Sequence, residues 1–125
     1  MYITEYVHEG SLLLTASGRL TYYSRRCFQA IIQHAEQAPI QHVILDMTGV
    51  DGLDSAGIGL LAFAHARLAL HGIPLSLVVP HHAVRSILEQ VNIPRFIPIY
   101  STCDEALGWS LTSCQTAQNV DLRSR

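Results

Sequence analysis

The feature that most constrains the fold is a short apolar run that leads, through a polar turn, into a long apolar helix. The run, His42 to Met47, is continuous rather than alternating, which is typical of a strand buried on both faces. The turn, Asp51 to Ser55, is rich in residues that favour turns and helix N-caps. The helix that begins there is expected to run to about His71, because Gly72 and Pro74 stop it. A buried strand followed at once by a helix favours an α/β fold.

The rest of the chain continues this alternation. Two runs rich in β-formers flank the turn His8-Glu9-Gly10 and predict a hairpin, and helix-period apolar residues follow between Ser24 and Ala38. The predicted strands are 2–7, 12–16, 42–47, 75–79 and 96–100, and the later helices are 83–91 and 101–107. The order β-β-α-β-α-β-α-β-α predicts a small mixed, mostly parallel sheet with helices packed mainly on one face. Residues 1–115 are expected to form one domain and residues 116–125 a flexible tail.

Composition narrows the functional classes. The chain has 125 residues, of which 49% are hydrophobic and 14% charged, which fits one domain with an ordinary core. A net charge of −2 argues against a generally basic nucleic-acid binder. All eight basic residues are arginine, so lysine-dependent chemistry such as a Schiff base or a Walker-A loop is excluded.

Compartment is predicted from cysteines and apolar segments. Cys27, Cys103 and Cys114 are an odd number without a CxxC pair, which fits a reducing environment. The N-terminus shows no secretory signal pattern. The longest apolar stretch, Ile58 to Leu70, is shorter than the roughly 20 residues that span a bilayer and contains charged Arg67. We therefore expect a cytoplasmic protein without membrane insertion.

The turn Asp54-Ser55-Ala56-Gly57 has two interpretations. In one, Asp54 or Ser55 only caps the helix, with its side-chain oxygen accepting a backbone N–H. In the other, the turn presents a functional serine. Gly57 and Gly59 favour the second interpretation, because glycine in a helix costs on the order of 1 kcal/mol relative to alanine. Their lack of side chains is expected to let a partner approach Ser55 closely.

The helix after this turn is apolar almost all round. Its predicted core stripe consists of Ile58, Leu61, Ala62, Leu68 and Ala69. Three further apolar side chains, those of Leu60, Phe63 and Leu70, fall largely outside that stripe. A helix with so little polar surface predicts an apolar patch for a protein partner.

The stretch from Val43 to Leu61, centred on Asp54-Ser55-Ala56-Gly57, resembles the signature of STAS domains, typified by bacterial anti-sigma-factor antagonists. The later segments fall in the family's order as well, so the resemblance spans roughly Leu12 to Leu107. These segments are 75–80, 84–88, 99–100 and 105–107. The resemblance implies a STAS-like fold.

The resemblance also implies a non-enzymatic switch that regulates transcription by partner switching. In the family, the serine after the aspartate, here Ser55, is phosphorylated by a partner that is both a serine kinase and an anti-sigma factor. The unphosphorylated domain binds that partner and frees the sigma factor, the phosphorylated domain is released, and a serine phosphatase resets the cycle. The implied partner-binding residues are Thr21, Asp54, Ser55, Ala56, Gly57, Leu60 and Phe63.

Two alternatives stay open beside this hypothesis. Kinase-regulated members typically carry an aspartate where Thr21 stands, which leaves room for a constitutive STAS subunit of an ABC-type lipid-transport complex without a phosphorylation cycle. A small hydrolase that uses Ser55 is the second alternative, although Ser55 lacks the GxSxG elbow.

No other catalytic or ligand site is predicted. The seven histidines lack HxxxH or HExxH spacing, so no metal is expected. Cys27 beside two arginines and Cys103 near a helix start are expected to be packed rather than reactive. The glycines form no phosphate-binding motif, so no nucleotide or other cofactor is expected, and the protein is not predicted to be an enzyme.

Overall fold

The structure, a computed structural model, describes residues 2–37 and 39–107. The described residues form five strands, namely β1 (Tyr2–His8), β2 (Ser11–Leu20), β3 (His42–Leu53), β4 (Leu75–Val78) and β5 (Ile99–Tyr100). They also form four helices, namely α1 (Arg25–Gln37), α2 (Ser55–Ala69), α3 (His82–Gln90) and α4 (Cys103–Ala106). Short 3₁₀ turns lie at Tyr22–Ser24 and Ile93–Arg95. This order confirms the predicted α/β succession of elements.

The strands form one sheet in the order β1-β2-β3-β4-β5. β1 pairs with β2 in an antiparallel hairpin, and the other neighbouring strands pair in parallel. Glu9 and Gly10 form the tip of the hairpin with φ of 50° and 86°, the left-handed values that a tight two-residue turn requires. The sheet is therefore mixed and mostly parallel, as predicted.

Helices cover the two faces of the sheet unequally. On β3, Val43, Leu45 and Met47 belong to the large core that also includes buried residues of α1, α2 and α3. Ile44 points to the other face, where it packs with Val78 and with Ala106 of α4. Because side chains alternate along a strand, both faces of β3 are buried, which explains its continuous apolar run. The prediction of helices mainly on one face is confirmed.

Two strands are longer than the sequence pattern predicts. β2 continues through Gly18 to Leu20, and β3 continues to Leu53, so the predicted strand ends at residues 16 and 47 are wrong. Most of the turn predicted from Asp51 to Ser55 is therefore strand. The extension is possible because β2 and β3 stay paired through two register shifts, at Thr15/Ser17 and Gly18/Arg19. Gly18 has a φ of 100°, which lets the backbone absorb such an irregularity. The pairing brings the end of β2 against the start of α2.

The final predicted strand is shorter than expected. Only Ile99 and Tyr100 pair with β4, because a 3₁₀ turn over Ile93–Arg95 occupies the chain just before it. The predicted tail, residues 116–125, and Cys114 lie outside the described residues. Within 2–37 and 39–107, no helix combines the length and the apolar character needed to cross a bilayer.

Candidate functional site

Asp54 caps the N-terminus of α2. Its backbone is extended, with φ −111° and ψ −175°, and its Oδ1 accepts a hydrogen bond from the Gly57 N–H at 2.8 Å. The Asp54 carbonyl accepts from the Ile58 N–H at 3.0 Å, which closes the first helical turn. The capping interpretation therefore holds for Asp54, and this leaves Ser55 without a capping role.

Ser55 is the first residue of α2, and both Ser55 and Ala56 are exposed. Among the described residues, the Ser55 hydroxyl has no hydrogen-bond partner. An exposed hydroxyl without a partner at a rigid helix start is accessible to an incoming enzyme. Its phosphorylation stays a prediction.

Gly57 packs α2 against the end of β2. A Cβ on Gly57 would overlap the carbonyl oxygen of Leu20 and approach the Leu20 carbonyl carbon to 2.9 Å. The same carbonyl oxygen accepts a hydrogen bond from the Asp54 N–H at 3.3 Å, so it is held in place. The expectation that Gly57 opens access to Ser55 is wrong, since Gly57 is buried and serves helix–strand packing. The open position is Gly59, which is exposed and, apart from its own helix backbone and chain neighbours, has no described atom within 4 Å of where its Cβ would lie.

Thr21 caps the 3₁₀ turn that follows β2. Its Oγ1 accepts from the Tyr23 N–H at 3.2 Å, and its own N–H donates to Ser24 Oγ at 3.2 Å. Ser24 Oγ in turn donates to the Arg19 carbonyl at 3.3 Å. Thr21 is half-buried and directly follows Leu20, so it lies beside the start of α2 with its hydroxyl committed to the turn.

A surface groove of about 330 Å³ lies between α1 and the first turns of α2, and we call it the α1–α2 groove. One wall comes from the 3₁₀ turn and α1, and the other from successive turns of α2. The lining residues are Tyr22, Arg25 and Gln29 on the first wall, and Ala56, Gly59, Leu60 and Phe63 on the second. The structure thus brings together Ala56, Leu60 and Phe63, three of the predicted partner-binding residues.

The buried face of α2 is rotated relative to the predicted stripe. Leu61 and Leu68 are buried as predicted, but Ile58 and Ala62 are only half-buried and Ala69 is exposed. Leu60, predicted to lie outside the stripe, is only 7% exposed, so it forms the floor of the groove and part of the core. The reason is the close approach at Gly57, which turns this side of α2 toward the sheet. Buried positions on α2 are Gly57, Leu60, Leu61, Ala64 and Leu68.

The groove carries a positive charge at its rim. The Arg25 guanidinium lies 5.3 Å from the centre of the Tyr22 ring and donates to Tyr22 Oη at 3.5 Å. Neither Arg25 nor Arg26 forms a salt bridge within the described part of the chain. Sequence reasoning missed Tyr22, Arg25 and Gln29, because nothing in a segment about 30 residues upstream signals that it packs beside α2.

A second polar cluster lies on the other face of the sheet. Asp46 accepts from the N–H and the hydroxyl of Thr48 at 2.9 and 2.6 Å, and from Cys103 Sγ at 3.5 Å. Burial, together with the Asp46 carboxylate, raises the pKa of Cys103 to about 12, so this thiol is a poor nucleophile. Among the residues that the structure describes, no three His, Cys, Asp or Glu side chains are placed to hold a metal ion.

Comparison with known proteins identifies the family. The family model for the STAS domain matches residues 2–106. A Mycobacterium tuberculosis protein named as an anti-anti-sigma factor is 30% identical over 100 residues, which cover 78% of this chain and 68% of that protein.

Solved structures agree on the fold. A Thermotoga maritima protein named as an anti-sigma factor antagonist superposes with a TM-score of 0.76 at 18% identity, covering 88% of this chain and 95% of that one. A sulfate transporter family protein from Wolinella succinogenes superposes with a TM-score of 0.73 at 17% identity, covering 85% and 88%. Since the family model covers almost all of the described residues, the chain belongs to the STAS domain family.

Proposed function

We propose that this protein is a cytoplasmic anti-sigma-factor antagonist controlled at Ser55. In its unphosphorylated state it binds a serine kinase that is also an anti-sigma factor, and phosphorylation of Ser55 releases it. A serine phosphatase restores the binding state. The observation that carries the proposal is the exposed Ser55, whose hydroxyl has no described partner and which directly precedes Ala56, a residue that lines the α1–α2 groove.

The groove supplies a preformed binding surface. One wall presents apolar atoms at helical spacing, from Ala56, Gly59 and Phe63. The groove lies between α1 and α2, and both helices are held in place by the core. The Asp54 cap and the Gly57 contact fix the first turn of α2, so little ordering is needed when a partner docks. Apolar area in a rigid concave surface is what a partner's apolar side chain requires.

A binding role fits Ser55 better than a catalytic one. A nucleophilic serine needs a base within hydrogen-bond reach, and no described histidine lies at that distance from the Ser55 hydroxyl. In the proposed reaction the Ser55 Oγ forms a bond to the γ-phosphorus of ATP, ADP leaves, and the hydroxyl proton passes to the kinase. The catalytic groups therefore belong to the partner.

Phosphate at this position acts on the interface more than on the fold. It adds about −1.5 to −2 charges at neutral pH. Free N–H groups and the dipole at the start of α2 stabilise that charge by roughly 0.3–1 kcal/mol, so the domain stays folded. A docked partner would have to remove water from the phosphate beside Ala56 and the exposed carboxylate of Asp54, which disfavours the complex.

A constitutive STAS subunit, such as one in a lipid-transport complex, is the second candidate. It is favoured by Thr21, whose hydroxyl is committed to capping at the position where kinase-regulated members carry an aspartate. In this case the groove would hold its partner whether or not Ser55 carries a charge.

Phosphoryl transfer to the purified protein tests the proposal. Wild type incubated with a candidate kinase and ATP should gain one phosphoryl group, as measured by intact mass. Ser55→Ala should gain none. Ser101→Ala, a control at another exposed serine, should gain one phosphoryl group like wild type. Wild type and Ser55→Ala should also bind that kinase, whereas Ser55→Asp should not. Transfer to a residue other than Ser55 would contradict the proposal, and equal binding by Ser55→Asp and Ser55→Ala would favour the constitutive subunit.

A further inference from the structure

Among the residues that the structure describes, Arg25 is the one charged side chain that lines the α1–α2 groove. Its contacts are weak, because its Nη2 lies 3.5 Å from Tyr22 Oη and its guanidinium lies 5.3 Å from the Tyr22 ring centre. No carboxylate oxygen in residues 2–37 and 39–107 lies within 4.0 Å of it. Since a guanidinium has five N–H donors, most of the hydrogen-bonding capacity of Arg25 is free for an anion.

Ser55 adjoins residues that line the same groove. It directly precedes Ala56 and lies one turn before Gly59, and both of these residues line the groove. At 3.6 residues per turn, Ser55 and Gly59 are separated by about 40° around the helix axis, and side chains tilt toward the helix N-terminus. Gly59 has no side chain, and no described atom outside its own helix backbone and chain neighbours lies within 4 Å of its Cβ position, so the groove is open above Gly59.

We propose that Arg25 recognises the phosphoryl group on Ser55. In doing so, the guanidinium gives up its contact with Tyr22 and forms a charge-assisted pair with the phosphate across the α1–α2 groove. Arginine suits this contact because its planar fork matches the oxygens of a phosphate. Asp54 does not pair with Arg25 in the unmodified domain, because no salt bridge joins the two side chains and the Asp54 Oδ1 accepts the Gly57 N–H. The proposal takes its biological meaning from the proposed function, for it describes the released state of that switch.

The pair has a consequence for partner binding. A phosphoryl group held between α2 and Arg25 lies over Ala56 and Gly59, the part of the groove nearest Ser55. Modification then both adds charge and fills the surface that the partner uses. The neighbouring Arg26 is outside this contact, because it lines a different surface hollow with Tyr23 and Cys27.

A titration of the phosphate tests the contact without any kinase. Phosphoserine is installed at position 55 during synthesis by genetic-code expansion, and its second ionisation is followed by ³¹P NMR. Arg25→Gln should raise the pKa of the phosphate by about half a pH unit, the size expected for an exposed ion pair. Arg25→Lys should raise it less, and Arg26→Gln should leave it unchanged. The α2 N-terminus is common to all four proteins, so the difference isolates Arg25.

Two results would overturn the proposal. One is the same phosphate pKa in wild type and Arg25→Gln. The other is an equal rise of the phosphate pKa in Arg25→Gln and Arg26→Gln, which would indicate long-range electrostatic attraction by any nearby positive charge rather than a direct contact. Unphosphorylated Arg25→Gln should keep the wild-type urea midpoint, which separates loss of the contact from loss of the fold. A failure of any kinase to modify Ser55 would count against the proposed function and leave this measurement unaffected.

Discussion

Replacing Gly57 with alanine should destabilise the domain, whereas the same replacement at Gly59, two residues later, should stabilise it. Alanine in a helix is favoured over glycine by about 1 kcal/mol, so propensity alone predicts a gain at both positions. At Gly57 the added Cβ meets the Leu20 carbonyl, which is fixed by its hydrogen bond from the Asp54 N–H and by the β2 backbone. Forcing an atom into such a site costs about 1–3 kcal/mol. At Gly59 no described atom opposes the Cβ.

Because the atom that opposes the Gly57 Cβ is fixed backbone, we take the upper end of this cost, and subtracting the propensity gain leaves a net loss of about 2 kcal/mol for Gly57→Ala. For Gly59→Ala we expect a net gain of about 0.5–1 kcal/mol. Urea unfolding followed by circular dichroism measures both. With a urea slope of about 2 kcal/mol per molar, the Gly57→Ala midpoint should fall by about 1 M. A Gly57→Ala midpoint equal to or above that of wild type would refute the reasoning that Gly57 is a packing residue.

Three further predictions address other parts of the structure. Asp54→Ala should lower the free energy of unfolding by about 1 kcal/mol, and Asp54→Asn should lower it much less, because asparagine also caps helices. Equal losses for the two variants in urea unfolding would contradict the capping role of Asp54. Burial lowers the pKa of His42 below its ordinary 6.5, so the unfolded chain binds the proton more tightly. The free energy of unfolding should therefore fall as the pH drops below about 6.5, and it should fall less in His42→Gln than in wild type. Parallel plots of unfolding free energy against pH for the two proteins would contradict this. Cys103 should react slowly with iodoacetamide at pH 8.5 and faster in Asp46→Asn, as measured by peptide mass spectrometry; equal rates would contradict the role of Asp46.

The order of elements was predictable because burial leaves a periodic pattern. The continuous run in β3 and the helical spacing of Phe28, Ile32 and Ala35 in α1 each reflect which faces are covered. The ends of β2 and β3 were not predictable. Gly18 and Gly52 favour turns locally, but strand pairing and the register shifts between β2 and β3 override that preference.

The candidate site was predictable only along α2. Asp54 as a cap and Ser55 as an exposed neighbour follow from local chemistry, since a cap needs only the residues of its own turn. The other wall of the groove, with Tyr22 and Arg25, depends on how α1 packs against α2, which no local pattern encodes. The packing role of Gly57 is not encoded locally either, because its packing partner is a backbone carbonyl on another element.

The affinity of the partner kinase for this protein, with serine or phosphoserine at position 55, tests the switch most directly. Isothermal titration calorimetry on the purified pair should show binding weakened by at least about tenfold in the phosphorylated form, a change of about 1.4 kcal/mol. Ser55→Ala should bind like wild type. Equal affinity for the two forms would contradict control through Ser55.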